Sequence, residues 1–444
     1  MPDASTGHDT HPHLLLIVGI GGLPAPDALR TALRVTPRVS VLFVTAWADP
    51  AELREQWERT AGNAGGEFLD VPDLDSAVTA GLTLSEGNPV SGVVTYSEVL
   101  LQPQARLVEA LGLPGNTVEA VSVAQSKARQ REVFARHAVP APRFAVLHDE
   151  TELLAAAEGV GLPAVLKPSL GAGSKNVRKV RTQDDLITTY REAQGSKTAF
   201  LQHDEAYLLE EPLPVEGHED SRYANYVSVE TLLFEGKADH LAVSDRLRLR
   251  HGYVEEGLVL PSHLTSETIA EVTDCAGQAI QAIGLTHGAV HTEIALTPKG
   301  PRVIEVNARA GGPIPKMLLA AAEYDFAADI ARVALGLRPG PAPRFTGVAW
   351  FRFVPVPHGQ WRVVSQRTAQ EARQTFPELT QISLRFAPGQ AASRNNTQHL
   401  ASFTLAAATA EEAGSIAADV ERFLAITLEP LGVPADGATE ENRR

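Results

Sequence analysis

The sequence predicts a multidomain protein of α/β and α+β class, with an open parallel α/β unit first, antiparallel strand pairs in the middle and a small α+β unit last. Three patterns carry that expectation. Residues 14–22, 39–46 and 92–96 are short apolar β-type runs separated by helical stretches, the alternation that builds a parallel sheet. Residues 226–246 and 287–309 alternate apolar and polar side chains about glycine turns, as hairpins do. Arg338-Pro-Gly-Pro-Ala-Pro-Arg344 then marks a boundary by its proline density.

The totals fit that plan. With 444 residues and 44% hydrophobic content, the chain can bury several cores, which sets a prior of about two to four domains or lobes. A formal net charge of -15, from 54 acidic against 39 basic residues, opposes extended contact with a phosphate backbone. No nucleic-acid partner is expected, and a bound anion would be met by a local basic cluster. The one cysteine, Cys275, sits among Ile269, Val272, Ala276, Ala279 and Ile283 at helical spacing and reads as a core residue of a reduced protein. Residues 1–13, with His8, His11 and His13, read as a disordered start without a signal-peptide plan. No apolar run approaches bilayer length, so a cytoplasmic protein with no membrane contact is expected.

In chain order, residues 14–116 form the first α/β unit. The glycines Gly19, Gly21 and Gly22 do not fit G-x-G-x-x-G and read either as a tight turn or as a substrate-facing loop. A helix runs through Ser126–Phe134, and Val139-Pro-Ala-Pro-Arg143 breaks it. Leu162-Pro-Ala-Val-Leu-Lys-Pro-Ser169 is an apolar strand with one embedded lysine. A buried strand tolerates an ammonium only beside an anion, so Lys167 is expected to face a phosphate. The next loop, residues 170–177 with Gly173 and Ser174, offers free N–H groups and a hydroxyl to cover phosphates. There Asn176 tolerates the positive φ at which glycine is usual. Tyr207–Pro214 reads as a strand ending in an extended, proline-stiffened segment. Further on come a hairpin turning at Glu235-Gly236, a helix over 266–283, and a helix over 315–335 stopped by Gly336. Strands near 348–356, 382–387 and 401–407 follow, and Thr409-Ala-Glu-Glu412 has the spacing of a capping box before an alanine-rich helix.

The richest stretch is 287–312. A three-residue loop, Pro298-Lys299-Gly300, would set Glu293 opposite Glu305, with Glu305 and Asn307 on one side of their strand. Two carboxylates and an amide on one surface suit a hard divalent cation such as magnesium, with substrate phosphates and water completing its shell. Arg309 follows two residues on, as a fixed charge for a phosphoryl or carboxylate group.

The run Arg302-Val-Ile-Glu-Val-Asn-Ala-Arg-Ala-Gly-Gly312, with Glu293 upstream, resembles the metal-binding signature of the ATP-grasp superfamily in its carboxylate-amine ligase branch. Within that branch the chain looks most like the dipeptide-forming L-amino acid ligases, often enzymes of secondary metabolism. The resemblance implies a first lobe with a helical linker and glycine-rich lid at 117–206, a second lobe with the metal hairpin at 207–337 and a C-terminal α+β subdomain at 345–434, while residues 435–444 read by composition as a disordered tail. It implies ATP with one or two Mg2+, Mn2+ being the substitute ion, held by Glu293, Glu305 and Asn307. Lys127 matches a phosphate- or nucleotide-contacting lysine, which the residues alone would make a surface helix lysine. The Glu210 carbonyl and the Leu213 N–H match adenine-edge contacts, with Glu211 nearby. Glu230 matches an acid facing the nucleotide or metal region; read alone it is an outward-facing strand acid.

The implied chemistry is transfer of the γ-phosphoryl group to a carboxylate, then attack on the acyl phosphate by an amine, with Arg309 stabilising the reacting oxygens. Both substrates would be small molecules. A bicarbonate-using ATP-grasp carboxylase and a non-catalytic ATP-binding regulatory protein are the alternatives, and a dehydrogenase on the first glycine turn is the weakest. Ser126, Asn176 and Leu258 depart from the family pattern, Leu258 standing where several relatives have histidine. The related ligases are often homodimers, a state that no stretch of this sequence forces.

Overall fold

The leucine run near the start of the chain becomes the strand His13–Val18, buried along its whole length. The computed structural model describes residues 11–46, 51–63, 67–171, 176–195, 206–216, 218, 220–249, 255–393 and 399–431. His13–Val18 lies inside a four-stranded sheet in the order Glu67–Val71, Arg38–Val44, His13–Val18, Gly92–Val94, with every neighbouring pair parallel. A strand covered on both faces needs no polar alternation, which explains the unbroken apolar run. His13 belongs to this strand and not to a disordered start: its ring Nε2 lies 2.9 Å from Ser40 Oγ in a buried site. Residues 1–10 and 432–444 lie outside the described residues.

A second, antiparallel sheet of four strands runs Phe144–Leu147, Tyr207–Glu210, Ala164–Pro168, Arg178–Val180. The helices Leu153–Val160 and Gln183–Gly195 pack against it through Leu153, Val160, Leu186 and Tyr190. The largest sheet has eight strands, in the order Arg302–Asn307, Gly288–Ala295, Tyr223–Phe234, Lys237–Leu247, Gly257–Leu260, Val348–Pro355, His399–Ala407, Leu379–Leu384. Against it lies the helix Ser266–Ile283, whose stripe of Val272, Cys275, Ala276, Ala279, Ile280 and Ile283 is buried. Cys275 is thus a core residue, and burial pushes its thiol up to about 12. The proline-rich stretch at 338–344 joins strands of this one sheet, because Gly257–Leu260 pairs directly with Val348–Pro355. The C-terminal strands therefore extend the central sheet, with a separate three-stranded sheet and the helix Ala410–Leu424 beside them.

Two local expectations are corrected. The single helix over 315–335 is two, Ile314–Ala322 and Phe326–Ala334. Glu323 turns left-handed at φ 52° and the Asp325 carboxylate caps the second helix on Ala328 N–H. Both helices feed the same core, so apolar periodicity runs across the break unmarked. At Thr409 only half of the capping box forms: the hydroxyl accepts from Glu412 N–H, but the Glu412 carboxylate takes the Ala408 N–H. The complete box is at Thr368 and Glu371. Among the described residues no helix is long and apolar enough to cross a membrane.

Candidate active site

The hairpin at 288–307 sets Glu293 directly opposite Glu305, but by a different route from the expected one. The connection is six residues, from Leu296 to Pro301, because Ala295 pairs with Arg302 and Leu296 N–H is drawn to the Asn225 carbonyl on the next strand. Ile294 pairs with Val303, and Ile304 is then an extra, bulged residue before the Glu293–Glu305 pair. A bulge re-aims the side chains beside it and bends its strand, and it often borders an active site. Arg131 fixes this one by donating from Nη2 to the Ile304 carbonyl at 2.6 Å. Gln130 clamps Val306, two residues on, its amide bonding both the Val306 N–H and C=O.

Each acid on this surface has a basic partner. Lys127 Nζ lies 2.8 Å from Glu305 Oε1, and Arg246 Nη2 lies 3.0 Å from Glu293 Oε1. Burial opposes charge on Glu293, yet the Arg246 guanidinium and the His291 ring hold its carboxyl down at about 2. Asn307 stands opposite His291, its side-chain oxygen 3.4 Å from Arg309 Nη2. Among the described residues no group of three or more His, Cys, Asp or Glu forms a metal cage. The residues fit a hard cation of the kind that takes few protein oxygens: two carboxylates, each beside a basic group, and one amide.

Facing this surface, the second sheet contributes the other wall of a cleft of about 450 Å³, lined by Lys127, Lys167, Glu210, Glu293 and Glu305. Lys167 Nζ is 2.7 Å from Glu210 Oε2, and Arg131 Nε is 2.8 Å from Glu210 Oε1. Burial pulls the Lys167 ammonium below the ordinary lysine range, against the Glu210 carboxylate, which favours its charge. Thus Glu210 places its side chain in the cleft, a role its expected backbone contact did not suggest. Glu211, Pro212 and Leu213 also line the cleft, where Pro212 lacks an N–H and Leu213 keeps one. The Glu211 carboxylate accepts from Arg143 N–H at 2.9 Å and Nε at 2.8 Å. Gly173 and Ser174 lie outside the described residues. Asn176 does adopt positive φ, at 58°.

Glu230 is placed apart from the cleft lining. It is fully buried on Tyr223–Phe234 and accepts from His291 Nδ1 at 2.6 Å. Burial works against charge on His291, but Glu230 prevails and raises its pKa. Arg309 Nε lies 3.0 Å from Glu98 Oε2, on the turn that follows Gly92–Val94. This pair ties the parallel sheet to the hairpin. Gly21 and Gly22 back that turn: both have φ near 77–78°, and a Cβ on Gly22 would meet the Tyr96 carbonyl carbon at 3.0 Å.

Sequence reasoning did not single out Arg246, His291, Arg131, Gln130 or Glu98. For Arg246 a signal existed: like Lys167, it is a cation in a strand with buried neighbours. The other four are recognisable only once distant segments are brought together.

Residues 160–315 match the family model for the ATP-grasp domain. The alanine–anticapsin ligase of Bacillus subtilis is 28% identical over 50% of this chain and 48% of its own length. Human carnosine synthase 1 is 29% identical over 73% of this chain and 40% of its own. The chain spans about half the length of the first curated relatives it matches. A crystal structure of an L-amino acid ligase from Bacillus licheniformis superposes with a TM-score of 0.74 at 20% identity, covering 95% of this chain and 99% of that one.

Proposed function

We propose that this chain, which carries an ATP-grasp domain at residues 160–315 and has the ATP-grasp fold throughout, is an ATP-dependent ligase. It joins a carboxylate to an amine, both small molecules and at least one an amino acid, with release of ADP and phosphate. The observation that carries the reading is one cleft lined together by Lys127, Lys167, Glu293 and Glu305. Lysines lining one cleft can grip a polyphosphate, and paired carboxylates beside them can hold the cation that accompanies it. Sequence relatives named as alanine–anticapsin ligase and carnosine synthase support the amide-forming class.

Mg2+, when bound, would neutralise charge on the phosphate oxygens from Glu293, Glu305 and Asn307. The chain's own residues do the rest. Lys127 and Lys167 orient the nucleotide tail, and the segment from Glu210 to Leu213 lines the cleft where the base would lie. A substrate carboxylate oxygen attacks the γ-phosphorus as the bond to the ADP oxygen breaks, forming an acyl phosphate. The amine nitrogen then attacks the acyl carbon, loses a proton, and inorganic phosphate leaves with its bonding electrons. Arg309, which pairs with Glu98, would steady the oxygens that gain charge in both steps.

The test is ADP release on mixtures of amino acids and small carboxylic acids, followed by product mass. Glu305→Gln should lower the productive rate about a hundredfold or more while the circular dichroism spectrum is unchanged. Full turnover of that variant in saturating magnesium would sink the assignment.

A further inference from the structure

We infer that the free protein carries its own cation at the metal bed, so that a divalent ion enters together with the nucleotide, and that Lys127 is the residue exchanged. This rests on the ATP-dependent reading and deepens it. The Lys127 ammonium lies 2.8 Å from Glu305 Oε1 and donates to the Gly171 carbonyl at 2.8 Å. Its backbone is rooted: Lys127 N–H donates to the Ser169 carbonyl at 3.0 Å, and the Ser126 and Ser169 hydroxyls meet at 2.9 Å. Only the four-carbon stem is free to swing.

The surroundings make the exchange necessary. Glu293 is held by Arg246, Glu210 by Lys167 and Arg131, and Glu98 by Arg309. A bare dication entering this cleft meets acids that are already paired and ammonium and guanidinium groups that repel it. A polyphosphate brings new acceptors for Lys127 and Lys167. Lys127 turns from Glu305 to a phosphate oxygen, and the released carboxylate oxygen takes the metal. One side chain thereby couples nucleotide arrival to cation affinity.

Mn2+ binding to the full chain, followed by the electron paramagnetic resonance of the free ion, reads this without turnover. Measured against the same analogue without protein, which itself chelates Mn2+, wild type should bind Mn2+ about tenfold more tightly, or better, with a non-hydrolysable ATP analogue than without it. Lys127→Met should gain about tenfold in affinity for Mn2+ alone, and Lys127→Arg, which keeps the charge, should stay near wild type. Lys127→Gln serves if the methionine variant does not fold. Equal Mn2+ affinity of wild type with and without the analogue, or no gain in the neutral variants, overturns the exchange and leaves the ligase reading standing. Failure of wild type to bind Mn2+ even with the analogue overturns both.

Discussion

Lys167 and Arg246 are both cations embedded in buried strands, and they solve the same problem in opposite ways. Lys167 has one carboxylate partner, Glu210, and shares it with Arg131. Lys167 lines the cleft, and burial lowers its pKa against the pull of Glu210. Arg246 is saturated by fixed groups: Ser228 Oγ at 2.6 Å, His291 Nε2 at 2.9 Å, Glu293 at 3.0 Å, and Glu255. The face of Tyr226 lies 5.5 Å from its guanidinium carbon. A cation that lines a cleft and shares its carboxylate is available to a ligand, whereas one bonded on several sides by fixed groups organises the protein around it. By this rule Lys167 is a binding residue and Arg246 a positioning residue for Glu293.

The strongest way to break the comparison is Arg246→Met. It leaves Glu293, half-buried at the cleft, without its guanidinium partner and removes the link between three strands, so unfolding free energy in urea should fall by about 3 kcal/mol. Arg246→Lys should recover only part of that, since one ammonium cannot span the same partners. A methionine variant as stable as wild type would end the claim that Arg246 is structural.

Next in size is an effect on the opposite face of the same strand. Asp245 is fully buried and accepts from His263 N–H at 2.8 Å and the His263 ring at 3.0 Å, with His218 at 3.4 Å. Burial alone would raise its pKa, but these donors hold it down at about 2. Because the folded value lies below the unfolded one, this stability is present above the ordinary aspartate range and is lost as pH falls toward 2. The stability difference between wild type and Asp245→Asn should therefore shrink by about 2 kcal/mol between about pH 6 and pH 2. A difference independent of pH would show that the histidines do not stabilise the carboxylate.

The contrast also explains what was legible beforehand. Lys167 stands alone in an apolar run, so its charge is conspicuous. Arg246 follows Ser244 and Asp245 and passes for the polar end of a strand, while its partners come from positions 228, 255, 291 and 293. The hairpin acids were legible because side-chain alternation and a glycine turn are local signals. The bulge at Ile304 was not, since the longer connection and the extra residue cancel and leave Glu293 opposite Glu305. Likewise Glu230 reads as a solvent-facing acid until the neighbouring strand supplies His291. The strand Glu67–Val71 escaped because it lies at a sheet edge, is mostly not buried, and shows no continuous apolar run.

The smallest effect on stability is the sharpest test. In Lys167→Met the Glu210 carboxylate keeps Arg131 as its partner, and the lost ammonium is one that the fold disfavours in its charged form. Unfolding free energy should stay within about 1 kcal/mol of wild type, while affinity for ATP drops about tenfold or more. The sign of the alkaline response follows as well. Since the folded pKa of Lys167 lies below the unfolded one, the unfolded chain binds more protons in the window between them, and wild type gains stability there as pH rises. The variant should lack that gain, so its unfolding curves between the depressed value and the ordinary lysine range should be flatter. A large loss of stability with ATP affinity unchanged would mean that Lys167 belongs in the same class as Arg246, and the distinction between the two cations would fail.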